Sequence, residues 1–525
     1  MARTPLMRAL RRLAEEHREA DGYSRREFLR RSGAVGAAVA VAGPAALARP
    51  APAASQARIA IVGGGIAGLT TALTLADKGV RSTVYEAGSR LGGRMHSDTS
   101  SYFQGQVSEF CGELIDTGHH TIRSLAQRFG LPTVDLLAAE PKASDEVYWF
   151  LGGYYPKEQA DKDFQPIHNT LQGQVQATSY PTLWNSYTQA GWSFDHMSVY
   201  QWIETYVPGG HASPMGRLLD VAYNEEYGAE TTEQSALNLM YLLAYNATPG
   251  NFEIFGASDE RYHIVGGNQR LPEAIAATLP DVRTGWRLNA IALNRDGTVS
   301  LSFDGQPTVV ADHVVLCMSF AVLRTLDYSQ AGFDDRKKRA IANLGAGRNA
   351  KLQLQFDSRY WNTSGPWGIG NGDTYTDLGF QNTWDVTRAQ SGTPGILVNY
   401  SGGDVAGAFK PSTPYSHADT NSQVTTYARS FLRQLETIYP GITRRWTGRA
   451  SLSTPWLDPN LLCSYSYWKV GQYTDFSGYE KAPQGPAQQI HFAGEHCSQD
   501  FQGYMEGGAS EGVRAAGEVL AALKK

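Results

Sequence analysis

Cysteine is scarce. Cys111, Cys317, Cys463 and Cys497 are the four in 525 residues, and no C-x-x-C pair occurs among them. Their wide spacing predicts no disulfide; buried free thiols are expected instead. Blocks of basic residues are also missing. The formal net charge is −5, and without the first 48 residues, which carry nine Lys/Arg and five Asp/Glu, it falls to −9. A mildly acidic surface of this kind argues against nucleic acid and anionic membranes as partners. No run reads as a stable membrane anchor: the weakly apolar stretch 34–48 is too short and too rich in alanine. No Ser/His/Asp or metal-ligand constellation stands out. His119 and His120 are adjacent, so on a helix they point in different directions; they read as cap or surface residues, not as metal ligands.

What is present begins at residues 58–68, Arg-Ile-Ala-Ile-Val-Gly-Gly-Gly-Ile-Ala-Gly. An apolar run of strand character stops at Gly63, Gly63-x-Gly65-x-x-Gly68 follows, and residues 69–75 continue with helical spacing. Strand, tight glycine turn and helix form the context that the dinucleotide fingerprint requires. Gly63 permits the turn, Gly65 lets the backbone approach a pyrophosphate, and Gly68 lets helix and strand pack closely. The helix N-terminus then attracts the phosphates. A second strand ends at Glu86, 23 residues beyond Gly63, where an acid binds a ribose hydroxyl.

Ahead of this unit, Ser24-Arg25-Arg26-Glu27-Phe28-Leu29-Arg30 and Ala46-Leu47-Ala48 read as a twin-arginine export signal with its cleavage site. That route suits a protein that takes up its cofactor in the cytoplasm and leaves folded. It predicts a periplasmic or secreted product of 477 residues, preceded by a Pro/Ala linker at 49–57.

After Glu86 comes Ala87, then a glycine loop, Leu91-Gly92-Gly93-Arg94, whose Arg94 could neutralise a phosphate. From about 141 to 256 the composition turns to Tyr, Trp, Gln and Asn, with helices expected near 198–207 and 213–246. Strands are expected at 262–264, 299–303 and 313–318. Residues 331–450 predict a basic helix near 334–343, strands around 351–356 and 396–400, and a long helix near 420–438. The chain closes with Trp456, an aromatic stretch (Tyr465, Tyr467, Trp468, Tyr473), and a strand that ends in Ala493-Gly494-Glu495. Gly503-Tyr504-Met505-Glu506-Gly507 then opens a helix of small residues. Such a glycine-rich helix start can receive a second polar part of a cofactor.

Together these motifs, with Val265-Gly266-Gly267 between them, resemble the flavin-dependent amine oxidase family. That family includes monoamine oxidases, polyamine oxidases and L-amino acid oxidases. The resemblance covers nearly all of residues 57–525. It implies a mixed α/β and α+β architecture, with a Rossmann-like FAD-binding domain (57–118, 257–332 and 455–525) interleaved with a sheet-plus-helices substrate domain (119–256 and 333–454). It also implies non-covalent FAD, because Ser464 holds the place before the first cage tyrosine where the monoamine oxidase subgroup has Cys; Cys463 lies one residue earlier.

Residue by residue, the resemblance assigns Gly63, Gly65, Ile66, Ala67, Gly68, Glu86, Ala87 and Arg94 to the ADP half of FAD. It assigns Gly112, Glu113, Leu114 and Ile115 to the segment passing the flavin ring, and Leu288 to the adenine. Trp456, Glu495, Gly503, Tyr504, Met505 and Glu506 complete the expected cofactor set. Lys351 matches a lysine that holds a water against flavin N5, and Tyr465 and Tyr504 match the two rings of an aromatic cage around the substrate amine.

The implied activity is oxidative deamination of L-amino acids to 2-oxo acids, ammonia and hydrogen peroxide, with oxygen as acceptor. The alternatives are a monoamine or polyamine oxidase that gives an aldehyde, or an amine dehydrogenase that uses a quinone. One departure bears on the choice. In the snake-venom branch an arginine for the substrate carboxylate follows a Gly-Pro-Met triplet; here the stretch reads Gly112-Glu113-Leu114-Ile115, with Ile115 at that place. A homodimer is expected, as is common in the family.

Overall fold

The strand Ile59–Val62 sits at the centre of a five-stranded parallel sheet. Across the sheet the strands run Ile490–Phe492, His313–Leu316, Ile59–Val62, Thr83–Tyr85 and Val282–Arg283. The register aligns Val62 with Leu316 on one side and with Tyr85 on the other. Every residue of the central strand is buried, which suits its unbroken apolar run: a parallel sheet is covered on both faces and needs no polar alternation. The computed structural model describes residues 57–524 apart from 245–248 and 257. The export signal read at 24–48 and most of the linker therefore lie outside the described residues.

Two helices cover one face of this sheet, and they come from opposite ends of the chain: Ile66–Ala76 and Met505–Ala522. They meet through glycine. A Cβ on Gly512 would stand 2.4 Å from the Ala67 carbonyl oxygen, and one on Gly508 would stand 2.8 Å from Ile66 Cγ2. At the same crossing Thr71 Oγ1, 441 positions away in sequence, donates to the Gly512 carbonyl at 3.1 Å.

A second, eight-stranded sheet draws its strands from 145–154 and 349–453 only. Its core strand, Asn349–Phe356, pairs antiparallel with Gly395–Gly402 and with Trp446–Ser453. The register sets Lys351 opposite Tyr400, Tyr400 opposite Asn382, and Asn382 opposite Tyr375. These side chains therefore share one face in a single row across the sheet. The long helix Ser422–Ile438 buries Val424, Phe431 and Leu435 against the other face.

The expected basic helix and the strands at 299–303 and 349–356 are present. The expected helical stretch 213–246 is two helices, Pro214–Tyr227 and Ala236–Leu243, separated at Gly228. One long helix had no counterpart in the sequence reading: Lys157–Thr178, which carries Pro166. His119 precedes the helix His120–Arg128 at its N-cap position, makes no side-chain capping bond and is buried, while His120 is exposed. All four cysteines are free.

The glycine crossing generates a test. Gly512→Ala should cost about 1–3 kcal/mol, because the new methyl meets backbone that cannot yield. Gly517→Ala, on the same helix with nothing within 4 Å of its Cβ, should stabilise by about 0.5–1 kcal/mol. Thermal melts of the two variants should therefore shift in opposite directions; equal shifts would dismiss the crossing as a constraint.

Candidate active site

The carboxyl ends of the parallel strands open on a cavity of about 610 Å³ that runs from the first glycine turn to a group of buried tyrosines. Crevices at this edge of a parallel sheet are where such folds bind ligands. Gly63, Gly65, Ile66 and Ala67 line its entry. Gly63 has φ of +112°, a backbone state that a side chain would strain, and a Cβ there would press on the Cys317 carbonyl at 3.0 Å. The helix that follows has Gly65 as its N-cap and no side-chain acceptor for its first amides.

Glu86 and Ala87 line the same end. The Glu86 carboxylate accepts from the Gly64 and Gly88 amides, each at 2.7 Å, which ties the glycine turn to the following loop. Leu288 lines this end too, beside Trp286 and Arg287. Further in, Arg94 donates to Glu495 at 2.8 Å. Glu495 also accepts from the Ser466 amide and hydroxyl and from the Gly503 amide. Burial alone would raise its carboxyl, but the Arg94 guanidinium, with His496 and the Ser466 hydrogen bond, holds it below its ordinary value.

Gly503, Tyr504 and Met505 form the opposite wall, where the closing helix starts, again without a side-chain cap. Two uncapped helix N-termini thus face one cavity. Their unsatisfied amides and positive dipole ends suit an anionic group such as a dinucleotide's pyrophosphate. On this observation the residues present fit FAD.

At the far end lie Gly112, Glu113, Leu114, Lys351, Tyr465 and Tyr504. The Lys351 ammonium donates to the Glu113 carboxylate at 2.6 Å and to the Cys111 carbonyl at 2.8 Å, and both charged groups are buried. The other Glu113 oxygen accepts from the Trp384 indole at 2.9 Å. Tyr465 is held from behind: its hydroxyl bonds that of Tyr400 at 2.9 Å and donates to the Glu226 carbonyl. Burial, with carboxylates nearby, pushes both phenols well above their ordinary pKa, so they remain neutral. Tyr504 packs edge-on against His119, centroids 4.9 Å apart, and its buried hydroxyl has no partner among the described residues.

Four expected cofactor residues lie off the cavity wall. Gly68 sits under the turn, where a Cβ would stand 2.0 Å from the Gly63 carbonyl, so it serves packing alone. Ile115 exchanges backbone hydrogen bonds with Tyr262 and buries its side chain in a core with Ile66 and Ile264. Trp456 packs on the core beneath the large sheet. Glu506 accepts from the Thr121 and Ile122 amides, at 2.9 and 2.8 Å, and so caps the helix His120–Arg128. Cys463 is buried and off the wall as well.

Sequence reasoning missed several residues that the structure places at the site. Tyr400 ends an apolar run that reads only as core, and Trp384, which bonds Glu113, lies on a short strand of mostly polar residues; Tyr400's position opposite Lys351 depends on strand register, which no local signal carries. Cys111, whose carbonyl receives Lys351, lines the cavity with its thiol pushed up to about 11 by burial.

The L-amino acid oxidase Cdc18 of Crotalus durissus cumanensis is 23% identical over 489 residues, covering 88% of this chain and 89% of that protein. The L-amino-acid oxidase of Vipera ammodytes ammodytes is 23% identical over 487 residues, covering 88% and 92%. Among solved structures, cyclohexylamine oxidase from Brevibacterium oxydans IH-35A superposes with a TM-score of 0.75 at 20% identity, covering 90% of this chain and all of that one. Putrescine oxidase bound to putrescine gives 0.73 at 18% identity, covering 89% and 99%. The sequence profile of the flavin containing amine oxidoreductases matches residues 66–520. The chain belongs to that family.

Proposed function

We propose that this protein oxidises the C–N unit of a small amine, with oxygen as acceptor, and yields an imine that water hydrolyses to an aldehyde and ammonia. Bound FAD supplies the two-electron acceptor and returns the electrons to oxygen as hydrogen peroxide. The chain's own residues bind, orient and dry the substrate. Tyr465 and Tyr504 offer ring faces whose surroundings fix them in place. Where water is excluded, desolvation disfavours an ammonium, which favours the neutral amine that hydride loss requires. Lys351 spends two of its three donors on Glu113 and Cys111 and keeps one for a water that can attack the imine or assist reoxidation.

The observation that carries the amine reading is the state of the cations on the wall. Arg90 is used by the Leu91, Gly93 and Met95 carbonyls, Arg94 by Glu495 and Ser464, and Arg287 by Asn460. Each guanidinium among the described residues of the cavity already bonds protein groups, Arg94 through Nη1, and Ile115 points into the core, which favours a substrate without a carboxylate. The L-amino acid reading draws its support from the names of the curated relatives. Residues 24–30 support export by the twin-arginine route, and the placement of Cys463 supports non-covalent FAD.

Two measurements check these readings. A peroxide-coupled screen of twenty L-amino acids, their D-forms and a panel of mono- and polyamines should give turnover with amines; turnover confined to amino acids would reverse the choice. Lys351→Met should slow turnover at least about tenfold while visible flavin absorbance is retained. Unchanged turnover would remove the assigned role.

A further inference from the structure

Glu113 and Lys351 meet at the far end of the large cavity, and both line it. Glu113 belongs to the segment that follows the strand Ser108–Glu109, and Lys351 to the core strand Asn349–Phe356, 238 positions later. Each is 3% exposed. Both carboxylate oxygens are engaged: Oε2 accepts from the lysine at 2.6 Å and Oε1 from the Trp384 indole at 2.9 Å. Trp384, on the strand Asn382–Asp385, also lies against the lysine, whose ammonium is 5.2 Å from the ring centroid. The same ring packs on Tyr400, centroids 5.1 Å apart, and Tyr400 braces Tyr465.

Stability does not explain this pair, since apolar residues of equal volume often serve a fold as well as a buried ion pair does. Direction does. An ammonium is a donor of three hydrogen bonds in tetrahedral array. One bond, to the Cys111 carbonyl at 2.8 Å, would let the head turn about it; a second, to Glu113, fixes where the third N–H points. That third donor has no partner among the described residues. Charge is set by the same contact. The Cys111 thiol and the Tyr400 phenol also stand against the lysine, and Ser453, opposite it on the third strand, is uncharged. Burial pushes the thiol up to about 11 and the phenol well above its ordinary value, so both stay neutral and Glu113 supplies the counter-charge.

We infer that Glu113 is a positioning residue for the reaction: it keeps Lys351 an ammonium and aims its third N–H at the cavity, while Trp384 keeps Glu113 in place. The inference rests on the role given to Lys351 above and names the group through which that role is set.

The flavin-loaded protein, with its best amine from the screen, supplies the kinetic test. Glu113→Gln should lower kcat about tenfold, the size of one charge-assisted hydrogen bond, and leave KM within about twofold, because Glu113 acts through the lysine. Without a counter-charge the buried ammonium gives up its proton more readily, so the alkaline limb of the kcat profile should move down by about one pH unit or more. Glu113→Asp, which keeps the charge on a shorter stem, should restore most of that limb. In a Lys351→Met background, Glu113→Gln should change kcat by less than about twofold. Losses that multiply, a KM that rises as kcat falls, or a limb that stays in place would each overturn the inference.

Thermal melts test the same pairing without turnover. An orphaned ammonium, with its pKa held below that of the unfolded chain, weakens the fold at low pH; stability recovers as pH rises through that window, where the unfolded chain binds the extra proton. The Tm deficit of Glu113→Gln should therefore shrink with rising pH while its kcat deficit grows, opposite trends that a general loosening of the site does not produce. Lys351→Met should lower Tm in the wild type and raise it in Glu113→Gln. Should Glu113→Gln not fold, rescue of folding by Lys351→Met counts as the same reversal, and no rescue overturns the inference. If no amine is oxidised, the amine-oxidation reading fails by itself and the melts decide: the reversal sustains Glu113 as the group that sets the lysine's charge, and equal shifts in both backgrounds end the inference.

Discussion

The contact on which the rest depends is the glycine-lined crossing of the first and last long helices. A helix N-terminus carries amides that its own turns cannot satisfy, and a ligand can use them only if it reaches them. Gly508 and Gly512 let the closing helix lie against Ile66 and Ala67 with no side chain between. Both N-termini therefore open on the same cavity, where neither would form the site alone. Were either glycine replaced by a larger residue, the helices would separate, and the wall formed by Gly503, Tyr504 and Met505 would move with them. The Thr71 hydroxyl fixes the crossing by donating to the carbonyls of both helices, Ala67 and Gly512.

The two parts of the site handle buried charge in opposite ways. Around the cofactor position each charge is answered: Arg94 by Glu495, Lys351 by Glu113, with backbone amides and an indole taking the remaining lone pairs. Such pairs add little net stability over an apolar core, yet removing one member is expensive, so they fix geometry more than they hold the fold. Behind Tyr400 a chamber of about 90 Å³ is lined, among the described residues, by six carboxyl groups and one arginine, and burial holds several of those carboxyls above their ordinary range. The contrast falls across a wall one residue thick.

Strand register joins the two. A sheet row holds side chains at fixed spacing on one face, so Lys351, Tyr400 and Asn382 come into line without further support. A shift of one residue along Asn349–Phe356 would turn Lys351 into the opposite core and bring an apolar neighbour into the site. The buried ion pair with Glu113 opposes such a slip, since it would leave two charges unpaired.

Much was legible in the chain before any fold was seen. The dinucleotide turn is a local object: strand, glycines, helix start and acid lie within 30 residues, and each glycine's role follows from backbone geometry. The closing motif is equally local, and so is the chemistry it implies. Even the missed helix Lys157–Thr178 carried its signal, with Ala160, Phe164, Ile167, Leu171 and Val175 buried at helical spacing; a polar majority and Pro166 obscured it. Side-chain direction and long-range pairing were not legible. Ile115, Trp456 and Glu506 sit beside site residues in sequence yet face a core or a helix end, because where a neighbour points depends on what the backbone packs against. Tyr400 and the acidic chamber arise only where strands and helices from distant segments meet. Sequence alone determined the cofactor turns, since their geometry is set over a few bonds; the fold decided what surrounds the substrate, since that surface is made of contacts between residues that the chain itself keeps far apart.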